Sequence, residues 1–157
     1  MIDWNRDGLI DLVMLDQEGY LAYFERTVQC GHHVLKAPRR VFMGSNGRPL
    51  RFTAKGGGAS GRRKIAFCDW DGDGRVDLIL NDANAVLFRN LGEHDGQWRF
   101  AASERVFGSR RLAGHTTDPS VSDFDGDGVP DLLLGAEDGF FYLFRNSRTR
   151  KTTDVAH

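Results

Sequence analysis

One ten-residue pattern recurs three times in this chain and limits what it can fold into. It reads Asp3-Trp4-Asn5-Arg6-Asp7-Gly8-Leu9-Ile10-Asp11-Leu12, then Asp69-Trp70-Asp71-Gly72-Asp73-Gly74-Arg75-Val76-Asp77-Leu78, then Asp123-Phe124-Asp125-Gly126-Asp127-Gly128-Val129-Pro130-Asp131-Leu132. Side-chain oxygens stand at positions 1, 3, 5 and 9: Asp3, Asn5, Asp7 and Asp11; Asp69, Asp71, Asp73 and Asp77; Asp123, Asp125, Asp127 and Asp131. A glycine at position 6 permits the tight turn that brings such oxygens together. All-oxygen donors on a flexible loop suit a hard cation with loose geometric demands, above all calcium; magnesium asks for a stricter octahedron.

The flanks decide which kind of acidic loop this is. A helix–loop–helix calcium hand needs an acid at position 12 and amphipathic helices on both sides. Position 12 is Met14, Leu80 and Leu134. Each loop instead runs into a short apolar stretch: Leu12-Val13-Met14-Leu15, Leu78-Ile79-Leu80 and Leu132-Leu133-Leu134. Bounded by turn residues, these read as buried strands.

The loops begin at residues 3, 69 and 123, and the units align beyond the acidic residues. A polar turn follows each apolar run (16–19, 81–84, 136–139), and then a second strand-like stretch (20–24, 85–90, 140–146). Each is a hairpin with turn chemistry in the right place. A further strand precedes loops two and three, at 64–68 and 120–124. A fourth is expected at 34–42 and 98–107, closed in both cases by a Val-Phe pair (Val41-Phe42, Val106-Phe107). Four antiparallel strands at a period of roughly 40–60 residues point to propeller blades.

The loop consensus, its trailing Asp-Leu and the hairpins ending Phe88-Arg89-Asn90 and Phe144-Arg145-Asn146 resemble the FG-GAP/VCBS repeats of calcium-binding β-propellers. Such repeats also build integrin α-subunit heads. The resemblance covers about residues 1–147 and implies an all-β partial β-propeller of about three four-stranded blades, at about 1–55, 56–110 and 111–147. It implies one calcium ion per blade, about three in all, in the loop between a blade's first two strands. The backbone carbonyls of Leu9, Arg75 and Val129 at position 7 would join the side-chain oxygens. Asn5 and Arg6 depart from the pattern, so the first loop is expected to bind more weakly. Incomplete outer blades lead to the expectation that the chain is the C-terminal portion of a longer propeller, or pairs with another copy through open blade edges. Residues 148–157 are read as a polar tail.

Charge supports a metal-loaded state that differs from the empty one. Eleven of the 22 acidic residues lie in the loops; the other eleven face 21 Lys plus Arg, a surplus of ten positive charges. Three divalent ions would carry the formal charge from −1 to +5. Cys30 and Cys68 are too few for a disulfide framework, and Cys68 is expected to be a buried reduced thiol. No run reaches the roughly 18 apolar residues of a membrane span. No recognised nucleic-acid reader is present, so neither nucleic acid nor membrane insertion is expected.

Trp4, Trp70 and Phe124 at position 2 read as packing residues rather than sugar platforms. The inter-blade connections and the last hairpin turn carry the ligand-face candidates Arg62, Arg63, His115, Thr116, Glu137 and Asp138. His115, Glu137 and Asp138 are the only acid–base candidates, with no nucleophile motif beside them, so no enzyme activity is expected of the chain itself. Three roles follow: an extracellular recognition or adhesion module for a glycan or protein; part of the propeller of a polysaccharide lyase or hydrolase; or an assembly unit joined through blade edges. Modest calcium affinity suits extracellular, cell-surface or periplasmic fluid, with a secretory signal upstream in a longer parent.

Overall fold

The computed structural model describes residues 1–53, 63–81, 84–107 and 117–148. Among them are fourteen short strands and no helix. His115, Thr116 and Arg62 lie outside the described residues. The chain divides into two compact units, Met1–Arg63 with Asn90–Ala102, and Lys64–Arg89 with Ser103–His157. No helix among the described residues is long and apolar enough to cross a membrane.

In the first unit, β1 (Leu12–Leu15) and β2 (Leu21–Phe24) form the expected hairpin, with Val13 opposite Tyr23. Single bridges, Ile2 to Asp11 and Tyr23 to Arg39, mark the places of a first and a fourth strand. Between β2 and Arg39 the chain makes a second hairpin, β3 (Arg26–Gln29) and β4 (His32–Leu35). A like hairpin, β9 (Asn90–His94) and β10 (Gln97–Phe100), follows the second repeat. Both turn on two residues of positive φ, Cys30-Gly31 (49° and 78°) and Asp95-Gly96 (53° and 74°), whose twist matches antiparallel strands.

These hairpins correct the expectation of long fourth strands at 34–42 and 98–107. Only Arg39, and in the second unit β11 (Glu104–Arg105), take that place. The Val-Phe alignment survives: Arg39 pairs with Tyr23 and Glu104 with Leu87, which puts each Val-Phe pair two and three residues further on. β5 (Phe42–Met43) leaves its own hairpin and runs parallel to β10, Trp98 opposite Phe42. The pairing closes an aromatic core. Trp4, Phe42, Tyr23 and Phe100 are buried, with Trp4 edge-on to Phe42 at 4.9 Å and to Trp98 at 5.9 Å between ring centres.

The second unit holds two sheets. β6 (Ile65–Cys68), β7 (Asp77–Asn81), β8 (Ala85–Phe88) and β11 form a four-stranded antiparallel meander. β12 (Asp118–Ser122), β13 (Asp131–Gly135) and β14 (Phe141–Phe144) form a three-stranded one. Ile79, Ala85, Leu87, Leu132 and Leu134 are the buried centre, packed by Trp70, Phe107, Tyr142 and Phe144. β7 is buried at all five positions, as a strand covered on both faces must be.

The first hairpin turn shows how local chemistry sets register. Asp16 accepts the amides of Glu18 (2.9 Å) and Tyr20 (3.0 Å) on one oxygen and the Arg40 guanidinium on the other. Gly19 has φ +84°, and a Cβ there would lie 2.4 Å from the Thr53 carbonyl oxygen, so only glycine fits. Partial burial works against the Asp16 charge, but the Tyr20 amide, Arg40 and the Glu18 amide outweigh it and hold the carboxyl below its ordinary 3.8. A depressed carboxyl stabilises above its unfolded pKa and loses that contribution as pH falls through the folded value. Wild-type stability should therefore fall below pH 3.8 more steeply than that of Asp16→Asn, measured by urea unfolding at stepped pH.

Candidate metal centres

Each loop is organised by its own aspartates. The position-1 carboxylate accepts the amide of the position-6 glycine: Gly8 to Asp3 at 3.0 Å, Gly74 to Asp69 at 3.0 Å and Gly128 to Asp123 at 2.8 Å. These glycines have φ of 87°, 85° and 82°, which a side chain would strain. Position 4 is also left-handed, at 62° for Arg6, 76° for Gly72 and 79° for Gly126. The first loop thus holds arginine where the others hold glycine, at a cost of about 1 kcal/mol.

The remaining positions divide the work. Position 3 accepts the amide of position 5, Asp7 to Asn5 at 3.1 Å, Asp73 to Asp71 at 3.2 Å and Asp127 to Asp125 at 3.3 Å. Position 5 accepts the amide of position 7: Leu9 to Asp7, Arg75 to Asp73 and Val129 to Asp127, at 2.7–2.8 Å. In the second and third loops, one oxygen from each of positions 1, 3 and 9 lies within 4.8 Å of the others: Asp69, Asp71 and Asp77; Asp123, Asp125 and Asp131. Three converging carboxylates fit a hard divalent ion, which would neutralise them and supply no redox or nucleophilic chemistry of its own. In the first loop Asn5 replaces one of the acids, and its amide donates to Asp7 at 2.9 Å.

Position 9 has a second task that its spacing does not announce. Asp11, Asp77 and Asp131 are 0–1% exposed. Asp11 accepts the amides of Trp4 (3.0 Å) and Arg26 (2.8 Å) and the Tyr23 hydroxyl (3.0 Å). Asp131 accepts the amides of Phe124 (3.2 Å) and Asn146 (2.9 Å), and Asp77 that of Trp70 (3.0 Å). In the first and third repeats a single carboxylate, Asp11 or Asp131, therefore ties the loop to the end of the hairpin fifteen residues later. Burial, and then the adjoining Asp11, push the Tyr23 phenol well above its ordinary pKa. Burial, then the charges of Asp77 and Asp69, push the Cys68 thiol up to about 12, so it stays protonated; both cysteines are free thiols.

A family model for the FG-GAP-like repeat matches residues 3–80 and 69–134. The chain belongs to the FG-GAP-like repeat family. Both matches begin on a loop's first aspartate and run through the hairpin into the start of the following repeat. No curated protein and no solved structure matches the chain.

The FG-GAP-like hairpins also supply residues that the loop pattern alone missed. Arg89 and Arg145, which follow the third strand of their repeats, reach back to Asp71 (2.9 Å) and Asp125 (3.6 Å). Asn146 donates its side-chain amide to the Trp70 carbonyl at 2.8 Å. The repeated Phe-Arg-Asn was the available signal. Both arginines line an open groove of about 360 Å³ with Trp70, Phe107 and Phe144. Of the position-2 aromatics, Trp4 is core, Trp70 packs against the core and Phe124 is 45% exposed.

Of the ligand-face candidates, Arg63, Glu137 and Asp138 fall among the described residues. Arg63 is half-buried, and Glu137 and Asp138 are exposed on the β13–β14 turn. Asp138 accepts the Tyr142 hydroxyl at 2.5 Å and the Phe140 amide at 3.0 Å, which hold its carboxyl below the ordinary range. A carboxyl so held is a poor proton donor at neutral pH.

Proposed function

We propose that this FG-GAP-like protein is a calcium-stabilised β-propeller module of about three blades, used outside the cell to recognise or adhere to a glycan or protein, with no catalysis of its own. The observation that carries the reading is the convergence of position-1, -3 and -9 carboxylates in the second and third loops. The four-stranded meander with its loop between β6 and β7 has the organisation of one blade. FG-GAP repeats are as a rule structural modules, which agrees with a cage whose role is to hold strands.

The ions would act by neutralisation. Without them each loop crowds three or four carboxylates, so ion uptake and local order are coupled. Loading raises the formal charge to +5, which favours an acidic polysaccharide or an acidic protein surface. Calorimetric titration should give about three calcium ions per chain, and Asp123→Ala, which removes the position-1 carboxylate all three loops share, should remove one. A chain that takes up none at millimolar calcium refutes the cation reading. Calcium uptake with no binding to acidic glycan arrays refutes the acidic-glycan role alone.

A further inference from the structure

The internal repeats differ at two places that change together. The residue after the third strand is Arg89 in the second repeat, Arg145 in the third and Glu25 in the first. Position 3 of the loop is Asp71, Asp125 and Asn5 respectively. Acid is matched with arginine, and the neutral amide with glutamate. Glu25, with no carboxylate to avoid, turns to Lys36 at 2.6 Å and Arg39 at 2.9 Å.

The two matched pairs are not equally tight. Arg89 Nη1 donates to Asp71 Oδ2 at 2.9 Å, while Asp71 Oδ1 already accepts the Asp73 amide at 3.2 Å. Both oxygens of Asp71 are thus engaged. Arg145 Nε stands 3.6 Å from Asp125 Oδ2, a charge contact too long for a hydrogen bond. The second loop has two more guanidinium groups on its ligands, Arg75 at 2.5 Å from Asp73 and Arg148 at 3.7 Å from Asp69. Among the described residues the third loop has Arg145 alone.

We infer that Arg89 and Arg145 are resident counter-cations of the position-3 carboxylate, which a divalent ion must displace, and that they rank the loops, the third binding more tightly than the second. This rests on reading the loops as cation sites. An arginine on Asp71 occupies a ligand oxygen and places a like charge within a few ångströms of the ion. Arg89 is 41% exposed, so solvent screens the contact and the effect is several-fold rather than many orders of magnitude. Ligand count alone does not separate these loops, because both carry four aspartates.

The test is a calcium titration of the full chain followed by amide NMR, with Gly74 and Gly128 reporting the second and third loops separately. In the wild type Gly128 should saturate at lower calcium than Gly74. Arg89→Gln should lower the Gly74 midpoint about three- to tenfold and leave Gly128 in place, whereas Arg89→Lys should leave both near wild type. Gly74 saturating first, or a Gly74 midpoint unmoved by Arg89→Gln, overturns the inference while calcium binding stands. If neither glycine responds at millimolar calcium, the cation reading fails and takes this inference with it. Should Arg89→Gln not fold, the wild-type order of the two glycines still decides.

Discussion

Asp131→Ala should destabilise the protein by about 3 kcal/mol in the presence of chelator, far more than Asp125→Ala, which should cost under about 1 kcal/mol. Asp131 is 1% exposed and accepts the amides of Phe124 and Asn146. Alanine leaves two donors without an acceptor inside the fold, at roughly 1–3 kcal/mol each. Asp125 is exposed, and its contact with Arg145 is a loose surface pair. Asp131→Asn should fall between them, because one oxygen is kept and an amide donor now faces a donor. Urea unfolding of the three variants in chelator measures this. Equal losses at positions 125 and 131 would show that position 9 serves only the ion.

Calcium should have the largest effect of all. A site that binds only the folded chain stabilises it by about 2.7 kcal/mol when the ion is at one hundred times its Kd. The first compact unit carries one loop and the second carries two. If the units melt separately, the upper limit of the shift in the second is about twice that in the first, roughly 20–40 °C against 10–20 °C. Chelator should reverse both shifts, and magnesium should produce smaller ones because it demands a near-ideal octahedron. Calorimetric melts with calcium, magnesium and chelator distinguish these outcomes. Superimposable curves would remove the basis for calling the loops metal centres.

Position 9 also marks where reading residues in order runs out. Its aspartate was legible as a possible ligand because it lies in a short, repeated pattern. Its role as acceptor for Arg26 or Asn146, fifteen residues away, depends on where the hairpin returns. The arginines were visible in the same way, as a repeated Phe-Arg-Asn with no assigned task. Only the hairpin's return brings Arg89 and Arg145 to the preceding loop.

The misplaced fourth strands had a different origin. Asp95-Gly96 is a strong two-residue hairpin signal, yet the stretch after it, taken alone, predicts one long strand ending at Phe107. Residues 90–100 instead fold back on themselves and pack with the first unit through the parallel pairing of β10 with β5.

The loops, their following hairpins and the all-β class are properties of neighbouring residues. Left-handed glycines, alternating oxygens and apolar runs broken by turns act over distances of a few residues, so order in the chain is enough to find them. Which strand lies beside which, which aspartate is sealed from water and which arginine faces a carboxylate arise from contacts between segments far apart in the chain. Many pairings of such short strands satisfy the same local preferences. Burial of the aromatic core and the Ile79–Leu132–Leu134 cluster selects among them.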